Sequence, residues 1–333
     1  MDNITHSLTG ILASKVQRIN SRTAPTDELV TKRIHRILFW LMLIAVNIPD
    51  IDVLTGVLKD PILSAKAHRS LTHSLFFAPV FAYLIALPFQ WLSRKREIPV
   101  QTKMLWLTAF LGILIHIFFD VITSYGTQIF YPFTTLRVSL DWMFIIDPYF
   151  TGILTLLLIL ATFWKSKKRA ITLFSTGFTI VYLLVELVNH QLAHAKFEQA
   201  VSQQSNVTDI GILPQPLSVF RWHGIAQTEQ GSIEGFFTLF DDSVRLYPQL
   251  QDNKPLANKA LQSLEGKWYY EFARFPHVQV KDTDSNTTKV EIADLQFNVD
   301  PLLLKAFNIN RGPSPFTMRF VYDSTGTLVR RDF

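Results

Sequence analysis

Residues 104–123 read MLWLTAFLGILIHIFFDVIT, and apart from His116 and Asp120 they carry no ionisable group. The length approaches the ~20 apolar residues that carry a helix across a bilayer core. A charged side chain at the centre of such a helix costs roughly 2.5–3.5 kcal/mol on insertion scales. His116 and Asp120 are four positions apart, so a helix sets them on one face, a turn from each other. An imidazole and a carboxylate so placed can bind one divalent ion or bridge two, and the ion supplies the missing compensation. The competing reading is a His–Asp hydrogen bond inside the bundle.

Four more stretches resemble this one: 37–58, 75–92, 142–164 and 170–189. The first holds Asn47, Pro49, Asp50 and Asp52 and should break near Pro49, because proline lacks a backbone donor and clashes with the preceding turn. Residues 3–17 form a less apolar helix of only ~21 Å at 1.5 Å per residue, which would sit shallow or tilted. The fold expected over residues 1–190 is an all-α membrane-embedded helix bundle of about five spans plus an N-terminal helix. Residues 191–333 should form a small α+β soluble domain. Segments 217–229, 232–241, 268–281, 287–299 and 315–332 are aromatic and β-branched, bounded by Gly, Asp, Asn or Ser, and read as antiparallel strands. A helix is expected at 254–265 and a hairpin turn at Asp323–Gly326. No internal repeat is visible.

Composition agrees. The 333 residues are 48% hydrophobic, and that excess falls between 37 and 190. The formal charge is +5, with a pI near 9.3. The basic residues cluster in short loops between apolar runs, which points to membrane orientation; no nucleic acid binding is expected. Lys15, Arg18, Arg22, Lys32, Arg33, Arg36, Arg94, Lys95, Arg96, Lys103, Lys165, Lys167, Lys168 and Arg169 lie on one set of loops, against Lys59, Lys66, Arg69 and Arg137 on the other. Residues 15–36, 93–103 and 165–169 are then cytoplasmic, and the loops at 59–74 and 124–141 and the tail face outward. The chain reads as a multi-pass protein of the inner membrane with an extracytoplasmic C-terminal domain and no cleavable signal peptide. The absence of cysteine excludes thiolate ligands, a cysteine nucleophile and disulfides.

On this topology the remaining polar clusters gather at the outer face. Asp50 and Asp52 in NIPDIDVL can point into one cavity if the helix breaks, and two such carboxylates repel unless a cation lies between them. In AHRSLTHSLFF, Ser70 or Thr72 would cap the following span, with His73 in its first turn and His68 in the loop. Arg69 offers a bidentate contact to phosphate or carboxylate. His6 lies in MDNITHSLTG. Glu186, His190 and His194 are spaced by four and can line one face, as ligands or as an amphipathic exit from the membrane. Asp141 and Asp147 are ligands or acids favoured by a helix N-terminus. His35, His223 and His277 are read as structural.

Taken in order, MDNITHSLTG, NIPDIDVL, HRSLTHSL, HIFFDVITSYGT and the Pro132–Phe133 pair resemble the YdjM-like membrane-bound metal-dependent hydrolases over roughly residues 1–190. The resemblance implies metal ligation by His6, Asp50 or Asp52, His68 or His73, His116 and Asp120, with Glu186 a further candidate ligand. It implies hydrolysis without fixing a substrate. The chain is more distantly similar to zinc-dependent phospholipases C and related nucleases, whose His-x-x-x-Asp pair His116 and Asp120 match; their His-x-x-x-Glu pair is reversed here, as Glu186 to His190. The reading that follows is a hydrolase with one to three divalent ions, zinc above others. Asp50, Asp52 and Arg69 would assist a reaction on a phosphoester or lipid-linked substrate among membrane lipids. The rivals are a metal or proton transporter and a non-catalytic membrane scaffold.

Overall fold

A computed structural model describes residues 1–20, 27–58, 61–204, 206–252, 254–284, 287–308 and 316–332. The chain divides into two compact units, Met1–Leu187 and Val188–Phe333. The first is helical and holds the candidate membrane helices; the second is built on antiparallel sheet.

The helical unit contains α1 (Asn3–Asn20), α2 (Glu28–Ala45), α3 (Pro61–Ala67), α4 (Ala78–Lys95), α5 (Thr102–Val121), α6 (Pro148–Phe163) and the beginning of α7 (Lys168–Val201). Two 3₁₀ stretches, Ile48–Leu58 and Leu71–His73, lie between α2 and α4. Starts are set by caps: Asp27 accepts the N–H of Leu29, and Asp147 accepts those of Tyr149 and Phe150 with Pro148 as the first helical residue. Helix α2 ends at Ala45, and the chain bends by 40° into the 3₁₀ stretch that carries Asp50 and Asp52. This is the break expected near Pro49.

Small residues let the helices close on that break. Ala78, Ala82 and Ala86 of α4 share a buried core with Leu105, Ala109 and Ile113 of α5 and Leu38, Leu41 and Ala45 of α2. A Cβ on Gly112 would lie 2.8 Å from the Cβ of Ala45, and one on Gly10 would lie 2.6 Å from Cγ1 of Val46. Any larger residue at either place would push α5 or α1 away from the end of α2. That approach brings His6 and His116 to the polar cluster.

By length and apolarity, two helices among the described residues can cross a bilayer: Thr102–Val121 and Lys165–Val201. The number rises to four if the bent pairs Glu28–Ala45 with Ile48–Leu54 and Ser64–His73 with Ala78–Lys95 each count as one span. The expected total of about five is therefore not reached on these criteria. Helix α6 has 16 residues, ~24 Å of rise against a core of ~30 Å, because residues 142–146 precede its cap at Asp147 instead of extending the helix. The unit turns apolar side chains outward: Trp91, Leu111, Phe118, Leu156, Phe163 and Phe174 are all exposed. Such faces suit lipid contact.

The second unit holds two four-stranded antiparallel meanders. The first joins β1 (Val207–Pro214), β2 (Arg221–Thr228), β3 (Gly231–Thr238) and β4 (Arg245–Leu250), and the second joins β5 (Pro276–Asp284), β6 (Thr287–Asp294), β7 (Thr317–Asp323) and β8 (Leu328–Asp332). Helices α8 (Pro255–Gln262) and α9 (Leu264–Phe272) precede β5, and α10 (Pro301–Ala306) lies between β6 and β7. The last turns of α7 pack Ala193, Phe197 and Val201 on Trp222, Ala226 and Phe237 of the first sheet. Gly235 leaves room for Phe197, whose Cε2 would lie 2.7 Å from an added Cβ. Strands β1 and β4 were not expected from sequence, and residues 268–272, expected as strand, are helical. WYYEF alternates no better than it follows a helical period, and the cap at Ser263, which accepts the N–H of Gly266, decides for helix. The turn at Asp323–Gly326 forms as expected, with Asp323 accepting the N–H groups of Thr325 and Thr327.

Candidate metal centre

Asp50, His73, His116 and Asp120 each offer one ligand atom, and these four atoms lie within 4.8 Å of one another. Three segments supply them: the 3₁₀ stretch after α2, the 3₁₀ turn before α4, and the last turns of α5. His73, His116 and Asp120 are fully buried, and the Asp50 side chain is 12% exposed.

The two imidazoles are held with the same nitrogen inward. His116 Nδ1 is 2.8 Å from the carbonyl of Val46. A carbonyl only accepts, so Nδ1 carries the proton and Nε2 bears a lone pair in the neutral ring. The Thr72 hydroxyl donates to Asp52 Oδ2 at 3.1 Å, which leaves its oxygen to accept from His73 Nδ1 at 3.0 Å. His73 Nε2 is therefore also a lone-pair nitrogen. These two Nε2 atoms stand 3.0 Å apart. Asp120 Oδ2 is 3.1 Å from His73 Nε2 and 3.5 Å from His116 Nε2, while Asp50 Oδ1 is 3.6 and 3.5 Å from the same atoms. Asp120 Oδ2 makes no hydrogen bond. Four potential ligand atoms thus converge. Two imidazole nitrogens and two carboxylate oxygens form a donor set that suits a first-row divalent ion.

Around these four stand the positioning groups. Asp52 accepts from the N–H of Arg69 at 2.8 Å and pairs with His68 Nδ1 at 2.9 Å, and its Oδ2 is 3.4 Å from His73 Nδ1. Carboxylates behind ligand histidines fix ring orientation in this manner. Arg69 has a left-handed backbone, φ 56°, which turns its N–H toward Asp52. Its guanidinium pairs with Asp120 Oδ1 at 3.0 Å, donates to Thr123 Oγ1 at 3.2 Å and lies 5.1 Å from the ring centroid of Tyr125. His6 stacks on His116 with centroids 3.9 Å apart, and its Nε2 is 3.2 Å from Asp120 Oδ1. The amine of Met1 pairs with that same oxygen.

The expected site residues therefore separate into tiers. Asp50, His73, His116 and Asp120 form the four-atom group; His6, Asp52 and Arg69 touch its members, and His68 pairs with Asp52. Glu186 stands apart from that group: it is buried on α7 without a hydrogen bond to its Oε1, in a neighbourhood where Tyr182 donates to Asp147 at 2.7 Å. His190 lies against Trp222 and His194 pairs with Glu198. Ser70 does not cap α4; its hydroxyl returns to the carbonyl of Ala67, and His73 precedes α4 in the 3₁₀ turn. The carbonyl of Val46 and the hydroxyl of Thr72 were not expected as functional. A backbone carbonyl leaves no trace in residue identity. Thr72 beside His73 was visible, but only folding shows that it hands Asp52 on to the ring.

A family model described as YdjM inner membrane protein matches residues 1–193. A Bacillus subtilis (strain 168) protein, YfhP, described as uncharacterized, is 25% identical over 252 residues, covering 72% of this chain and 71% of that protein. No solved structure matches the chain.

Proposed function

The chain belongs to the YdjM inner membrane protein family, and we propose that it serves there as a metal-dependent hydrolase acting on a phosphoester of a lipid or lipid-linked molecule. The observation that carries this reading is the 3.0 Å approach of two imidazole Nε2 atoms beside a carboxylate oxygen that makes no hydrogen bond. Asp50, His73, His116 and Asp120 would hold the ion, with zinc the first choice for such a donor set. When bound, the ion supplies Lewis acidity and acidifies water at neutral pH.

The chain's own groups do the rest. Asp52, through Thr72 and directly, keeps His73 in the tautomer that points Nε2 inward. Val46 does the same for His116. Arg69 balances the buried charge of Asp120. Asp50 is the least buried of the four and marks the side from which water and substrate enter; its carboxylate is the base nearest that entrance. Basic residues within 15–36, 93–103 and 165–169, at or near helix ends, support a cytoplasmic location for those segments, with the site and the C-terminal unit on the outer side.

The test has two arms. Purified protein in detergent or nanodiscs, analysed by elemental mass spectrometry, should carry stoichiometric transition metal or acquire it from zinc. The loaded protein should then cleave phosphoester lipids or a chromogenic phosphodiester, and Asp50→Asn should abolish turnover. No metal after zinc reconstitution sinks the centre. Metal without hydrolysis, together with zinc or proton flux in liposomes, would replace the enzyme by a transporter.

A further inference from the structure

Helix α7 runs unbroken from Lys168 to Val201. Counted from Arg169, ~20 residues at 1.5 Å each span the ~30 Å hydrocarbon core and end near Asn189. Two loops of the first sheet are tied to α7 just beyond that level. Asn189 Nδ2 donates to the carbonyl of Val219 at 3.0 Å. About two turns farther on, Lys196 Nζ donates to the carbonyls of Thr238 at 3.1 Å and Leu239 at 3.2 Å, and to that of Asp241. The antiparallel meander puts the β1–β2 and β3–β4 loops at the same end of the sheet.

What these loops display is apolar. Leu217 is 48% exposed, Phe220 37% and Phe240 76%, and the two rings lie 5.0 Å apart. Leu217 takes a left-handed backbone, φ 63°, an unfavourable conformation for a branched side chain. Val188 and Leu192 on α7, each 55% exposed and four residues apart, add apolar surface on the same helix. Phe and Leu side chains at the membrane surface bury into the boundary between head groups and acyl chains while the polar backbone stays at the water.

We infer that Leu217, Phe220 and Phe240 form an anchor that dips into the bilayer interface beside the exit of α7. The partner is the lipid surface itself, so the first sheet is seated on the membrane by its loops as well as tethered by its helix. This holds whichever side of the membrane the unit occupies and does not depend on the metal centre.

The absence of cysteine in the chain makes the test direct. Phe240→Cys, Phe220→Cys and, as an aqueous reference on the β7–β8 turn, Thr325→Cys are each labelled with a nitroxide in the full-length protein. The protein is placed in nanodiscs of phosphatidylethanolamine and phosphatidylglycerol. Power-saturation spectroscopy then compares collision with oxygen, which concentrates in lipid, and with a water-soluble nickel complex. The expected result is an oxygen-to-nickel accessibility ratio severalfold higher at 240 and 220 than at 325. A ratio equal to that at 325 would overturn the anchor, as would low accessibility to both reagents, the mark of a protein contact.

Discussion

Two buried aspartates show how differently the halves of this molecule treat charge. Asp294, in the sheet unit, is 1% exposed and accepts four hydrogen bonds, from the N–H groups of Arg274, Phe275 and Gln296 and from the Gln296 amide. Asp120, in the helical unit, is fully buried, and one of its oxygens faces two imidazole nitrogens with no hydrogen bond at all. Burial alone therefore does not separate a structural carboxylate from a candidate ligand; saturation does. The surfaces follow the same division. The sheet unit buries Trp222, Phe275 and Phe320, whereas the helical unit exposes Trp91 and Phe163 and buries His6, His73 and His116. A lipid solvent removes the cost of the outward apolar faces and raises the cost of the inward charges.

The strongest way to break this contrast is to delete a ligand. His116→Ala or Asp120→Ala should weaken metal binding by more than the roughly 10–100-fold typical of an outer partner, read by competition with a chromogenic chelator. Retention of wild-type affinity would reduce Asp120 to a structural acid like Asp294. Asp294→Ala should do the reverse. It strands backbone donors of Arg274 and Phe275, costs about 1–3 kcal/mol in unfolding of the sheet unit, and leaves metal content unchanged. Next comes Asp52→Asn, which keeps the shape but loosens His73; metal affinity should fall by about 10–100-fold while the melting curve barely moves.

Gly112→Ala tests packing without touching a ligand. Its Cβ would stand 2.8 Å from that of Ala45, so overpacking of about 1–3 kcal/mol is expected, seen as a lower melting temperature together with weaker metal retention. The smallest effect concerns Glu291. Burial raises its carboxyl, but Lys281, Lys289 and Arg319 outweigh burial and hold it below its ordinary value of 4.5. A depressed carboxyl stabilises the fold above that ordinary value and loses the contribution as pH falls through its folded one. Melting of the sheet unit should therefore decline on acidification below about pH 4.5, and Glu291→Gln should flatten that part of the profile.

Much of the helical unit was legible because its signals are local. Apolar run length, Pro49 at the bend, Asp147 at a helix start and the four-residue step from His116 to Asp120 each rest on neighbours in sequence. The sheet unit was read less completely. The burial of β4 is irregular, with Leu246 half-buried and Tyr247 exposed, so it carries no clean period of two. The doubled helix-then-meander plan left no repeat in sequence because the two sheets bury different residues: Trp222 and Phe237 in one, Val290 and Phe320 in the other.

The sequence by itself determined that ionisable residues interrupt apolar helices in the first 190 positions, since composition and spacing need no coordinates. Only the tertiary structure decided which of them share a centre. Asp52 and His68 match Asp50 and His73 in residue type and are their near neighbours in sequence, yet the bend after α2 and the left-handed turn at Arg69 send one of each pair inward and leave the other supporting it. Glu186 shares the chemistry but not the place. Ligand choice is a matter of direction and distance set by packing, and those quantities are fixed only when Gly10 and Gly112 let three helices meet at one broken end.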